Sequence, residues 1–162
     1  MDGVGCDCVG CCRVGKDQPT STNVPNLLAE AMLTTQVEVT ELFVKNSSKV
    51  TSADIDLVLS SCIETKENQI VVTHGTHTMC KTARFLGENQ GNFPGKIIVL
   101  TGAMKSTLNP GSDGPFNLGF AISAVQCRPA GVYVAMGGII FSWDNVRKDE
   151  TTKPARFTKI VE

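Results

Sequence analysis

Short apolar segments of two different periodicities alternate along this chain. Runs rich in Val, Ile and Leu, some alternating with polar residues, are typical of strands. Segments between them repeat apolar residues every three or four positions, which is typical of helices that bury one face. We therefore predict strands over residues 37–44, 69–73, 96–101 and 131–136, with a hairpin partner over 139–141, and helices over residues 26–32, 78–86 and 116–126 and from Thr51 to Cys62.

This order of elements indicates the fold class. Continuous apolar strands separated by helices are typical of a parallel sheet covered by helices on both faces. We therefore expect an α/β domain of three layers over residues 24–162, with an irregular cysteine-rich amino end over residues 1–23 and a charged, irregular segment from Asp144 onward. Such sheets bind ligands at the carboxyl ends of their strands, so the residues after each strand are candidates for chemistry.

Composition narrows the class of function. The 162 residues are 41% hydrophobic and 19% charged, which is typical of a globular domain. The net charge of −1 disfavours nucleic acid or an acidic membrane as the main partner. The chain shows no apolar run of about 18 residues and no signal-peptide pattern, so we expect a cytoplasmic protein without a membrane span.

Two polar segments follow predicted strands. The first reads His74-Gly-Thr-His-Thr-Met79, with hydroxyls and backbone N–H groups where a helix begins. A threonine there can attack a carbonyl if a base lies nearby, and the N–H groups can stabilise an oxyanion. The alternative is that Thr76 or Thr78 only caps the helix, and His74 has a structural role. In the second segment, Asp113 is predicted to cap the helix that begins near Pro115.

Three ordered motifs carry a resemblance to a known family. Residues 70–79 (Ile-Val-Val-Thr-His-Gly-Thr-His-Thr-Met), 99–104 (Val-Leu-Thr-Gly-Ala-Met) and 112–118 (Ser-Asp-Gly-Pro-Phe-Asn-Leu) resemble successive blocks of the bacterial-type L-asparaginases. Residues 131–148 resemble the strand and lysine-bearing loop that follow. The chain is most similar to short asparaginase-like proteins that consist of the amino-terminal domain alone.

The resemblance implies a fold and an activity. The implied fold is a Rossmann-like sandwich, and the implied reaction hydrolyses the side-chain amide of L-asparagine to L-aspartate and ammonia through a threonine ester, without metal or cofactor. By resemblance, Thr76 and Lys148 are catalytic, and Ser47, Gly75, Thr76 and His77 bind substrate. A lysine in this role needs a lowered pKa or a hydrogen-bond chain that carries its proton away. Members of the family are homo-oligomers, so we expect the same here.

The chain departs from the family pattern at two places. The family's TGGTI motif, which carries another threonine, is absent before Ser47, and His77 stands where the family has aspartate. That aspartate binds the α-ammonium group of the substrate. His77 is either a new base for Thr76 or a sign of an altered site. The open alternatives are therefore an amidohydrolase, weakened or not, and a non-catalytic member that binds a small amino acid or a protein partner.

The amino end carries four cysteines, Cys6, Cys8, Cys11 and Cys12. Dense thiolates bind zinc, copper(I) or iron–sulfur clusters, but structural zinc sites usually use two separated pairs of ligands. The alternative is an irregular segment, or an altered start that replaces the TGGTI motif with unrelated residues. We expect no metal at the catalytic site.

Overall fold

The computed structural model describes the backbone of residues 4–9 and all of residues 22–161. Eight strands and four helices are present in these ranges. They are β1 (Val4–Val9), α1 (Val24–Glu30), β2 (Val37–Phe43), α2 (Ser52–Glu64), β3 (Gln69–Thr73), α3 (Met79–Glu88), β4 (Ile97–Thr101), α4 (Gly114–Cys127), β5 (Gly131–Met136), β6 (Ile139–Ser142), β7 (Arg147–Asp149) and β8 (Arg156–Thr158). Two short 3-10 turns, Ser47–Lys49 and Gln90–Asn92, lie between them.

Six strands form one sheet in the order β2-β1-β3-β4-β5-β6. The first five are parallel to their neighbours, and β6 pairs antiparallel with β5. β7 and β8 form a separate antiparallel pair. The predicted three-layer α/β fold, with a mainly parallel sheet and helices on both faces, is confirmed.

Alternate residues of the central strands bury themselves on opposite faces of the sheet. Ile70 and Val72 pack in the cluster that contains Val58 of α2 and Leu86 of α3. Val71, between them, packs with residues of α1 and α4. A strand turns successive side chains to opposite faces, so an uninterrupted apolar run is what a sheet covered on both sides requires.

Local signals explain where the helices begin. At α2, the Thr51 hydroxyl accepts from the N–H of Asp54, and the Asp54 carboxylate accepts from the N–H of Thr51. This reciprocal capping box satisfies two N–H groups that a helix start otherwise leaves unpaired. At α1, Pro25 lies in the first turn, where its missing N–H costs nothing.

Among the helices that the structure describes, none has both the length and the apolar composition of a membrane-spanning helix.

The expectation of an irregular amino end is wrong for residues 4–9. They form β1, which pairs in parallel with β2 on one side and β3 on the other. The first strand of the sheet is therefore present, although the TGGTI motif is not. A strand in a parallel sheet is hydrogen-bonded to strands that are distant in the sequence, so the residues of β1 alone did not reveal it. Residues 10–21 lie outside the described residues.

The segment from Asp144 is also more regular than expected. β7 and β8 pair through Lys148 and Phe157, and Phe157 and Val146 are buried in the same cluster as β3 and α3. Burial of these two apolar side chains holds the segment against the domain. Lys148 is thereby brought close to the loop after β3.

Candidate active site

The loop after β3 lies where this topology favours ligand binding. From β1 the chain moves to β2 on one side, whereas the later strands extend on the other side beyond β3. The change of direction leaves a crevice at the carboxyl ends of β1 and β3, and ligands of doubly wound sheets bind there. Residues 74–78 join β3 to α3 at this point.

Thr76 and Lys148 meet although they are 72 residues apart. The Lys148 Nζ donates to the Thr76 Oγ1 at 3.2 Å. Thr76 is only 8% exposed, so its hydroxyl is largely shielded from bulk water. The structure thus brings together the two side chains that the resemblance named as catalytic.

The same ammonium also contacts a carboxylate that the sequence analysis did not single out. Lys148 Nζ lies 3.4 Å from the Glu150 Oε1. The Lys148 side chain is 19% exposed and that of Glu150 is 66% exposed. Residues two apart in an extended segment have their side chains on the same face. The sequence would have pointed to this contact only if the segment around residue 149 had been predicted as a strand.

Ser47 links the turn after β2 to the loop after β3. It is buried, and its Oγ accepts from the backbone N–H of His77 at 3.2 Å. Its carbonyl oxygen accepts from the Thr78 hydroxyl at 2.9 Å. Ser47 therefore lies beside the loop predicted to bind substrate, and it holds two residues of that loop.

The capping hypothesis for Thr76 and Thr78 is wrong. Thr78 is the residue before α3, but its hydroxyl makes no capping hydrogen bond to the helix and donates to Ser47 instead. The Thr76 hydroxyl accepts from Lys148. Both hydroxyls have long-range partners, which local sequence patterns do not reveal.

His74 is a buried structural residue, as predicted. Its Nδ1 donates to the Gly75 carbonyl oxygen at 2.7 Å, which leaves Nε2 to accept from the Thr82 hydroxyl at 2.9 Å. Burial lowers the pKa of His74 to about 4, because an imidazolium ion would lose its hydration there. The neutral ring ties the loop to α3.

The loops after β3 and β4 are interlocked. The backbone N–H of His74 donates to the Thr101 carbonyl oxygen at 2.7 Å. A Cβ at Gly102 would overlap the carbonyl oxygen of His74, so only glycine permits this approach. The close packing holds the 74–78 loop from the side of β4.

Asp113 does not cap α4, which corrects the sequence prediction. Its carboxylate accepts from the N–H groups of Met104 and Lys105 at 3.0 and 2.9 Å and from the Asn117 side-chain amide at 2.9 Å. Asp113 precedes α4, but the loop after β4 offers two N–H groups that the carboxylate binds instead. Its role is to fasten that loop to α4.

A small cavity lies near the carboxyl ends of β3 and β4, on the side of α1 and α4. Its volume is about 30 Å³, and Thr73, Thr101 and Gly102 contribute to its wall. Such a volume suits one or two water molecules rather than an amino acid. Thr76 does not line it, so we do not assign substrate to this cavity.

Within the described residues, no three His, Cys, Asp or Glu side chains cluster in a way that holds a metal ion. Cys11 and Cys12 lie outside the described residues, and of Cys6 and Cys8 only the backbone is described. Metal binding by these four cysteines stays a hypothesis from the sequence.

Comparison with known proteins identifies the family. Residues 12–161 match the family model described as asparaginase, N-terminal. The chain belongs to the asparaginase family. L-asparaginase 2 of Escherichia coli strain K12 is 32% identical over 126 residues, which cover 74% of this chain and 36% of that protein. The glutaminase-asparaginase of Acinetobacter glutaminasificans is 40% identical over 84 residues, covering 50% of this chain and 25% of that protein.

Solved structures agree on the fold of this asparaginase-family chain. The thermostable L-asparaginase from Thermococcus kodakarensis superposes with a TM-score of 0.84 at 22% identity, covering 99% of this chain and 52% of that one. The chain thus spans about half the length of that structure and about a third of the E. coli protein. One matched protein is named a probable periplasmic L-asparaginase of Haemophilus influenzae, and one solved structure of similar fold is named a probable cytoplasmic L-asparaginase from Campylobacter jejuni.

Proposed function

We propose that this chain is an amidohydrolase that converts the side-chain amide of L-asparagine, or a similar small amide, to the acid and ammonia. The observation that carries the proposal is the 3.2 Å contact between Lys148 Nζ and Thr76 Oγ1 at the carboxyl end of β3. A hydroxyl paired with an amine in a shielded loop is the arrangement of an activated nucleophile. Membership of the asparaginase family supports the same class of reaction.

The reaction proceeds by acyl transfer. The Thr76 oxygen attacks the amide carbon while its proton passes to Lys148, and the resulting oxyanion is stabilised by backbone N–H groups where α3 begins. The carbon–nitrogen bond then breaks, and the nitrogen leaves as ammonia after taking back a proton. Water attacks the threonine ester in the second step, releases the acid and restores the hydroxyl of Thr76.

Ser47, Gly75 and His77 are the substrate-binding residues in this proposal. Gly75 has no side chain, so a ligand can approach the loop backbone closely there. Ser47 accepts a hydrogen bond from the N–H of His77. The exposed side chain of His77 lies next to Thr76 in the same loop. A histidine never carries a negative charge, so it offers no ionic partner to an α-ammonium group.

Ammonia release from L-asparagine tests the proposal. We expect Thr76→Ala and Lys148→Ala to lower kcat at least about a thousandfold, since each removes a member of the nucleophile pair. Thr76→Ser keeps a hydroxyl and should retain measurable turnover. Lys153→Ala, which removes an exposed lysine beyond β7, should behave like the unmodified chain. Equal ammonia release by the unmodified chain and Thr76→Ala would overturn the proposal.

A non-catalytic function is the second candidate, and His77 is the observation that favours it. In place of an acidic side chain, this position offers an exposed imidazole next to Thr76. A binding protein would take up asparagine or aspartate, detected by calorimetry, without releasing ammonia. Homo-oligomer formation and a cytoplasmic location stay predictions from the sequence.

A further inference from the structure

The environment of Lys148 raises a question about its chemistry. Its Nζ donates to Thr76 Oγ1 and lies 3.4 Å from the carboxylate of Glu150. An ammonium ion has no lone pair and cannot accept the proton of a threonine. Lys148 therefore acts as a base only if its own proton has a place to go.

The groups near Lys148 limit which residue can accept the proton of its ammonium group. On β7, Asp149 is turned toward Thr151 and accepts from both its N–H and its hydroxyl. From α3, the Cys80 thiol lies near the backbone N–H of Lys148, and burial raises the pKa of Cys80. A neutral thiol is a poor proton acceptor. Arg147, the residue before Lys148, and Arg84, which lies near Cys80 on α3, are cations and cannot accept a proton.

Glu150 is the described carboxylate that contacts the ammonium. Its side chain is 66% exposed, whereas that of Lys148 is 19% exposed. The carboxylate thus touches a shielded amine on one side and bulk water on the other. This placement suits a group that exchanges protons with solvent on behalf of the shielded pair.

We propose that Glu150 is a positioning residue that orients Lys148 toward Thr76 and accepts its proton, in a relay from Thr76 through Lys148 to Glu150. The inference rests on the proposed function, in which Thr76 is the nucleophile. One N–H bond of Lys148 breaks and an O–H bond forms on Glu150. The amine lone pair then takes the proton of Thr76 as its oxygen attacks the amide carbon. When ammonia leaves, the amine returns that proton to the nitrogen, and Glu150 then gives its own proton back to Lys148, which restores the starting ammonium ion and carboxylate.

The pH dependence of kcat separates a relay from a merely structural contact. Glu150→Gln keeps an oxygen that contacts the ammonium but removes the proton acceptor. We expect kcat of this variant to fall about 10–100-fold at pH 7 with little change in KM. At alkaline pH hydroxide removes the proton of Lys148 directly, so kcat should rise toward that of the unmodified chain. A packing role without charge would instead change kcat by the same factor at every pH, and a carboxylate that only stabilises the ammonium ion would leave kcat of Glu150→Gln at pH 7 unchanged or raised.

Asp149→Asn is the matched control. It removes the same charge one residue away, from a side chain that binds Thr151 and not the amine. Its pH profile should match that of the unmodified chain.

A second measurement does not depend on turnover. Acetic anhydride acylates only neutral amines, and mass spectrometry reports how fast Lys148 reacts. Loss of a partly exposed carboxylate partner should speed this acylation about two- to fivefold at pH 8 in Glu150→Gln, and not in Asp149→Asn.

The two measurements distinguish failure of the relay from failure of the proposed function. If ammonia release depends on Thr76 but Glu150→Gln keeps the unmodified pH profile, the function stands and the relay is overturned. If the unmodified chain releases no ammonia, the function fails, and acylation still decides whether the Glu150 carboxylate contacts the Lys148 ammonium ion in solution. Equal acylation rates would then refute that contact as well, whereas faster acylation of Glu150→Gln would support the contact on which the relay depends.

Discussion

His77 stands at a position where the resemblance to the asparaginases implies an aspartate. Its backbone N–H is held by Ser47, whereas its side chain is exposed beside the buried Thr76. The backbone of the loop is thus fixed while the side chain at position 77 is free to vary. If the proposed function holds, substrate preference can change at position 77 without disturbing Thr76.

Restoring a carboxylate at position 77 should strengthen binding of an amide that carries an α-ammonium group. A charge-assisted hydrogen bond contributes about 1.5–3 kcal/mol, which corresponds to roughly a 10–100-fold change in affinity. We therefore expect His77→Asp to lower the KM for L-asparagine by about that factor. His77→Asn, which has a similar shape but no charge, is the control. A KM that falls equally in both variants would contradict the role of charge.

At the scale of elements, α3 supports the site by packing against the segment that leads to Lys148. Gly87 is buried near the end of α3, and the ring of Trp143 lies directly over it. Trp143 also packs against the core cluster that includes Val146 and Phe157. The position of β7, and with it that of Lys148, therefore depends on the close approach at Gly87.

Gly87→Ala should destabilise the domain although alanine favours helices. The gain in helix propensity is at most about 1 kcal/mol, whereas a Cβ here overlaps the indole ring, and overpacking typically costs about 1–3 kcal/mol. We expect a net loss of about 1–2 kcal/mol in the free energy of unfolding, measured with urea. The fluorescence of Trp143, the single tryptophan of the chain, reports the transition.

Gly119→Ala is the matched control for that experiment. Gly119 lies in α4 and a Cβ there meets no other atom within 4 Å. The substitution should leave stability unchanged or raise it by up to about 1 kcal/mol. A stabilising effect of both substitutions would show that the contact between Gly87 and Trp143 is not close in solution.

At the scale of the whole molecule, His74 couples the loop that carries Thr76 to global stability. It joins the Gly75 carbonyl to the Thr82 hydroxyl of α3, and its backbone N–H donates to Thr101 of β4. His74 therefore links its own loop to α3 through its ring and to β4 through its backbone. Protonation of that ring would break one hydrogen bond and place an ion in the core.

Stability should therefore decrease in mildly acidic solution. An unfolded histidine takes up a proton below about pH 6.5, whereas the pKa of buried His74 is about 4. Between these values the unfolded state binds more protons, so the free energy of unfolding falls as pH decreases. From pH 7 to pH 5 this group alone should remove about 2 kcal/mol.

Urea unfolding of the unmodified chain and of His74→Gln at both pH values isolates this contribution, since the variant lacks the titrating ring. NMR of the two histidines gives a direct check, because the His74 ring should stay neutral at pH 5 in the folded protein. A His74 resonance that titrates near pH 6.5 would contradict the prediction.

Periodicity along the sequence was sufficient to predict most of the fold. Strand β3 and strand β5 have the predicted limits, and the four helices lie within a few residues of their predicted ranges. These patterns are reliable because helix and strand place side chains at fixed local spacings, so a buried face must appear in the sequence. The motif after β3 likewise indicated the loop that lies at the carboxyl ends of β1 and β3, where the order of the strands changes direction.

The tertiary structure decided the features that depend on contacts between residues far apart in the sequence. β1 is a strand because β2 and β3 pair with it on either side. β7 and β8 are held against the domain because Val146 and Phe157 are buried in its core. The Asp113 carboxylate joins a distant loop to the Asn117 side chain of α4 instead of capping the helix. Glu150 follows β7 directly and lies close to Lys148 in the folded chain. The sequence by itself determined the elements, because helices and strands leave a local spacing of apolar residues, and its resemblance to the asparaginases pointed to Thr76 and Lys148. Only the fold decided which atoms meet, because hydrogen bonds and ion pairs form between groups that chain folding brings within about 3 Å.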